Sequence, residues 1–180
     1  FLVDSFKAAG VPSGEAEICA DVLCESDKRG IESHGCNRFK PIYIDRINAG
    51  ILNPITNYEI LKETPTTLVV DAHDGMGMVA SYKAMTSIIE KARTYGIGMA
   101  TIRNSSHYGI AGYWASMAIK EDMIGITTIE VLDPELYKWI GNNKEAVCGG
   151  FFHGLSFDKS DKDYRKKYSE EFLSLEINPD

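Results

Sequence analysis

Two histidines stand in short settings of hydroxyl and glycine: Ser33-His34-Gly35, followed by Arg38, and Ser105-Ser106-His107-Tyr108-Gly109. The 180 residues hold four histidines in all, so two in such company invite a chemical reading. A neutral imidazole can give or take a proton near neutral pH, because its ordinary pKa is about 6.5. A guanidinium holds a carboxylate through two parallel hydrogen bonds. His34 with Arg38 four residues on could therefore move a proton and hold a carboxylate on one small molecule. Ser33 is placed to bond the imidazole and set its tautomer. Each motif also has a structural reading, as a helix cap or a capped loop, and composition alone leaves both readings open.

These groups need a frame. The first fifty residues read as helices. Leu2, Phe6 and Ala9 share a face that stops at Gly10 and Pro12. Ser13 then reads as the N-cap of a longer helix, with Glu15 and Glu17 in its first turn. Ile18, Cys19 and Val22 would face inward, and Lys28-Arg29-Gly30 would end it. A shorter helix is expected from Pro41 through Ile44 and Ile47 to Gly50. The Ser33–Gly35 motif falls at the junction between these two helices. Past Pro54 the period changes. Leu68-Val69-Val70 predicts a strand, and Val79, Tyr82, Met85, Ile89 and Ala92 predict a helix. Met99–Ile102 predicts a second strand with the His107 loop after it, Ile110 to Ala118 a helix, and Ile124–Ile129 a third strand. This alternation implies a largely parallel sheet covered by helices. Loops at the carboxyl ends of such strands are where open α/β sheets bind ligands.

Bulk properties narrow the classes. A net charge of −7 argues against nucleic acid or an anionic membrane as partner. No apolar run approaches the length that crosses a bilayer. Cys19, Cys24, Cys36 and Cys148 show no C-x-x-C spacing, and His73 and His153 have no ligand partner at metal-site spacing. No metal and a reducing cytoplasm are therefore expected. Phe1 is not an initiator methionine, so the chain is expected to begin inside a longer one. Gly75-Met76-Gly77-Met78-Val79-Ala80 matches the G-x-G-x-x-A dinucleotide fingerprint. Asp71 and Asp74 crowd it with negative charge, which favours a plain tight turn.

The stretch Arg29 to Phe39 (RGIESHGCNRF) resembles the signature of the type-2 malate/L-lactate dehydrogenase family, which includes sulfolactate and ureidoglycolate dehydrogenases. The resemblance continues through Gly75-Met76-Gly77, Gly96-Ile97-Gly98, Arg103 to Tyr113 and Met123 to Ile126, covering about residues 1–129. It implies an α/β fold in which an N-terminal helical segment precedes a sheet domain of the L-sulfolactate dehydrogenase-like type, not a Rossmann domain. It implies an NAD- or NADP-dependent oxidoreductase acting on a small 2-hydroxy or 2-oxo acid, as a cytoplasmic homodimer. His34 would be the acid/base with Ser33 as its partner, and Arg38 would bind the carboxylate. His107 lies in the family's second histidine motif and shares the catalytic assignment, with Tyr108 and Gly109 beside it as cofactor-binding positions. Family members commonly carry a tyrosine four residues after this arginine. Here Ile42 holds that place, and Tyr43, next along, is the expected substrate-binding tyrosine.

The expected division is a helical catalytic segment over 1–55, an α/β core over 56–130 and a divergent remnant of the cofactor region over 131–180. In that last part, Lys144-Glu145-Ala146-Val147 resembles the lead-in to a family motif that Cys148-Gly149-Gly150 replaces. Glu176 stands where the family carries an aspartate that supports the histidine. The alternative is a truncated, inactive member serving as a binding or dimerisation module.

Overall fold

The apolar stripes of the sequence become buried helix faces in the computed structural model, which describes residues 1–128. His153, the 144–150 segment, Glu176 and the remnant expected over 131–180 lie outside the described residues. Helix α1 (Leu2–Ala8) buries Phe6, and α2 (Ser13–Lys28) buries Ala16, Cys19, Ala20, Val22, Leu23 and Ser26. Pro12, not Ser13, occupies the N-cap position of α2, and no side chain caps it. The Pro12 carbonyl accepts the Ala16 N–H at 2.8 Å, so Ser13 is already helical. Burial of the Cys19 thiol, reinforced by Glu15, pushes its pKa far above the ordinary range and leaves it an inert core residue.

Two 3₁₀ turns, Glu32–His34 and Cys36–Arg38, lead into a π-helical turn over Phe39–Ile44 and then α3 (Asp45–Asn48). The helix expected from Pro41 thus begins two residues earlier and is wider in its first turn. Pro41 is tolerated there because the first N–H groups of a helix lack internal partners anyway.

Strands β1 (Glu59–Glu63), β2 (Thr67–Gly75) and β3 (Met99–Ser105) form one sheet in that order. The β2–β3 pair is parallel, joined through α4 (Gly77–Tyr95), while β1 runs antiparallel to β2. Leu68, Val70 and Ala72 are buried, as are Met78, Val79, Ala84, Met85 and Ile89 of α4. Helix α5 (Ala111–Ile119) buries Trp114 and Ala118. The strand expected at Ile124–Ile129 does not form over its described part. Residues 124–128 are irregular, with Ile124 91% and Ile126 78% exposed, so the apolar pattern there meets no partner face. Phe6, Val22 and Tyr43 belong to the same buried cluster as Met76, Met78 and Trp114, so the helical N-terminus and the sheet unit share one core. None of the described helices is long and apolar enough to cross a membrane.

One buried carboxylate ties the strand ends that precede the His107 loop. Asp71 accepts the backbone N–H of His73 at 2.9 Å, Asn104 Nδ2 at 2.9 Å and Arg103 Nε at 2.7 Å. The His73 N–H contributes most to holding its pKa down at about 2, with Asn104 and Arg103 adding to it. A carboxyl depressed in the folded state stabilises fully above its unfolded value of about 4 and loses that contribution as pH falls towards the folded value. Urea midpoints followed from pH 7 to acid should therefore fall below about pH 4. Asp71→Asn should be less stable at neutral pH and show a shallower acid loss. An equally steep loss in the variant would remove Asp71 from this account.

Candidate active site

Helix α2 delivers Asp27 to the turn that follows it. Its carboxylate accepts the Cys36 N–H at 2.9 Å and occupies the space where a side chain at position 35 would stand. Gly35 is therefore the residue that lets α2 pin the histidine turn. Hydrogen bonding from the Cys36 thiol and backbone N–H holds the Asp27 carboxyl below its ordinary pKa. Within the turn, Ser33 Oγ lies 2.9 Å from His34 Nδ1, and Arg38 Nε donates to the Ser33 carbonyl at 2.5 Å. That bond uses the inner guanidinium nitrogen and not the terminal pair that grips a carboxylate.

The second motif arrives from β3. Asn104 adopts a left-handed φ of 49°, and the chain turns through Ser105 and Ser106 over the start of α4. The Ser106 and His107 carbonyls lie where a Cβ on Gly77 would be, and the Gly77 N–H donates to Ser106 Oγ at 3.0 Å. The neighbouring Met76 N–H donates to Thr56 Oγ1 at 3.2 Å. The glycine run thus serves close approach of the His107 loop. With these N–H groups committed to the protein's own hydroxyls, this helix start offers no cradle for a pyrophosphate.

His34 and His107 meet here. Their ring centroids are 5.5 Å apart, with planes inclined by 28°. Tyr43 is fully buried, packed edge-on against Phe6, and its hydroxyl lies 2.7 Å from His107 Nδ1. The Gly109 N–H donates to the same nitrogen at 3.1 Å. Gly109 has φ +81°, and a side chain on it would strike Val22 of α2, so only glycine fits. Tyr108 is buried beside Trp114, whose Nε1 donates to the Tyr108 carbonyl at 3.1 Å. Both residues face the core, and the Gly109 N–H is engaged with His107.

Burial is the main cause that lowers the His107 pKa to about 4, with the charges of His34, Arg38 and Arg46 adding to it. His107 is neutral at physiological pH. Burial also raises the Tyr43 phenol well above its ordinary range, so its hydroxyl keeps its proton. The site therefore holds two stacked imidazoles beside two guanidinium groups. That set can exchange a proton with a hydroxyl while holding an adjacent carboxylate.

The chain matches the family model described as malate/L-lactate dehydrogenase over residues 1–149. It is 42% identical to L-sulfolactate dehydrogenase of Methanocaldococcus jannaschii over 148 residues, covering 82% of this chain and 42% of that protein. It is 48% identical to malate dehydrogenase of Pyrococcus abyssi over 127 residues, covering 71% of this chain and 35% of the other. The crystal structure of malate dehydrogenase from Entamoeba histolytica superposes with a TM-score of 0.65 at 42% identity, covering 67% of this chain and 33% of that one. The chain belongs to the malate/L-lactate dehydrogenase family. The expected fold class holds with it: an N-terminal helical segment followed by an α/β sheet of the L-sulfolactate dehydrogenase type. The chain spans well under half the length of these curated relatives.

The π-helical turn sets where Tyr43 lies relative to Arg38. The Asp45 N–H bonds the Lys40 carbonyl five residues back, so the wide turn absorbs one extra residue. Tyr43, five positions after Arg38, thereby reaches His107. Arg46 was not singled out by sequence. Its spacing from Arg38 carries no simple signal, because a π-helical turn and the start of α3 lie between them. An open groove of about 290 Å³ lined by Tyr82, Ile89, Tyr113 and Met117, among others, contains none of the predicted site residues.

Proposed function

We propose that this chain carries the proton-handling and carboxylate-binding part of an NAD(P)-dependent dehydrogenase for a small 2-hydroxy or 2-oxo acid, in the range of malate, lactate or sulfolactate. The observation that carries the reading is the stack of His34 on His107, with Arg38 anchored to the same turn through Ser33. In the oxidation direction His34 takes the proton of the C2 hydroxyl, with Ser33 orienting its ring. The terminal nitrogens of Arg38 hold the C1 carboxylate, and Arg46 adds positive potential. Reduction reverses the proton transfer. When bound, a nicotinamide coenzyme, NAD or NADP, would supply or accept the hydride at C2.

In this reading residues 1–55 provide His34 and Arg38, and residues 56–130 provide the His107 loop. Tyr108 and Gly109 act by shaping that loop, and Tyr43 supports His107. The reading includes a cytoplasmic homodimer, as the family resemblance implies, and Cys19, Cys24 and Cys36 are free thiols. The second reading, an inactive binding or dimerisation module, draws on the Met76 and Gly77 N–H groups, which are taken up by Thr56 and Ser106 and leave no pyrophosphate cradle at that helix start.

Titration of the 180-residue chain with NADH and NADPH by fluorescence, followed by addition of oxaloacetate or pyruvate, separates the two readings. The dehydrogenase reading expects saturable binding and loss of the reduced coenzyme on addition of the 2-oxo acid. Absence of both leaves the inactive module.

A further inference from the structure

The two donors on one nitrogen of His107 have a consequence for its proton. We infer that Tyr43 and the Gly109 backbone together hold neutral His107 with its proton on Nε2, so that this ring presents an N–H to the substrate oxygen and leaves proton abstraction to His34. The second half of this statement rests on the dehydrogenase reading above. The first half does not.

A backbone N–H can only donate, and the Gly109 N–H lies 3.1 Å from His107 Nδ1. A ring nitrogen that accepts a hydrogen bond carries a lone pair and no hydrogen. The one ring proton of neutral His107 therefore sits on Nε2. Tyr43 reinforces this choice. Its hydroxyl, 2.7 Å from the same nitrogen, must also donate, because Nδ1 has no hydrogen to give it. The phenol has no exposed surface, and the π-helical turn and Phe6 fix its position. Tyr43 is a positioning residue in this scheme, since it acts on the substrate only through His107.

Forming the imidazolium would put a hydrogen on Nδ1 and turn both donors away. The charged and titratable groups facing His107 oppose it as well. They are His34 on the first 3₁₀ turn, Arg38 on the second, Tyr43 on the π-helical turn and Arg46 on α3. Among the described residues none of these is a carboxylate. A neutral imidazole with Nε2–H is a hydrogen-bond donor to a carbonyl or alkoxide oxygen and a poor base at that nitrogen. The two histidines therefore divide the work: His107 polarises the C2 oxygen, and His34 carries the proton.

The test is long-range ¹H–¹⁵N correlation of the histidine rings in the ¹⁵N-labelled chain. Between about pH 6 and 8, His107 should show an unprotonated Nδ1, a protonated Nε2 and no titration. In Tyr43→Phe, which keeps the ring but removes the donor, its titration midpoint should rise by on the order of one unit. A hydrogen on Nδ1 in the unaltered chain, a midpoint near about 6.5, or a midpoint unmoved by Tyr43→Phe overturns the inference. Should that variant not fold, the spectrum of the unaltered chain decides alone. The spectra need no coenzyme and no turnover. Failure of the dehydrogenase reading would thus leave the tautomer result standing, and a wrong tautomer would leave turnover untouched.

Discussion

Replacing His34 with glutamine should lower turnover of a 2-oxo acid by about 10²–10⁴-fold, the usual contribution of a positioned acid or base. Glutamine keeps a polar side chain beside Ser33 but cannot take up a proton and release it. The anchor of Arg38 on the Ser33 carbonyl is a backbone contact and survives the change. KM for the acid should accordingly move far less than kcat. Steady-state rates across pH supply the measurement. A variant at full rate would mean that His34 does not carry the proton, and His107 would become the base despite its committed Nδ1.

The second large effect is expected at Gly77. On an open helix surface, alanine for glycine stabilises by about 0.5–1 kcal/mol through backbone entropy. Here the added methyl would press on the Ser106 and His107 carbonyls, which are backbone atoms and cannot swing aside. Gly77→Ala should therefore destabilise, by about 1–3 kcal/mol. It should also displace His107 from His34, so that turnover falls as well. Urea denaturation reads the sign directly. Stabilisation would show that the loop does not lie on α4 as described. A dinucleotide-fingerprint reading also expects harm at this residue, but as lost coenzyme affinity in a chain of unchanged stability.

Several parts of this arrangement were legible before folding was considered. The stripe of α2 and the period of α4 are short-range signals, and both helices lie where the pattern places them. The strand at Leu68–Val70 announced itself by β-branched and apolar residues that end up against a helix. Strand β1 did not, because Glu59–Glu63 is exposed along its whole length and carries no alternation to read. It is a strand only because β2 offers it an edge. The reverse error occurred at Ile124, where an apolar run predicted a strand but no partner buries it among the described residues. The helix expected from Pro41 was right in kind and wrong in winding. Nothing in the local sequence distinguishes a π-helical turn, which is held here by Tyr43 packed against Phe6 and bonded to His107.

By itself the sequence determined the parts: two histidine motifs, an arginine one turn from the first, and glycines at positions 35, 77 and 109. It also determined the family, because residue types at fixed spacing are a local property. Only the tertiary structure decided how those parts combine. Gly35 proved to make room for Asp27 and Gly77 for the His107 carbonyls, contacts with no trace in the neighbouring residues. The stack of His34 on His107 and the donation of Tyr43 to a ring 64 residues away exist only once α4 has brought β3 beside β2. A histidine's proton goes where its neighbours leave room for it. Those neighbours are set by packing between distant segments, not by spacing along one.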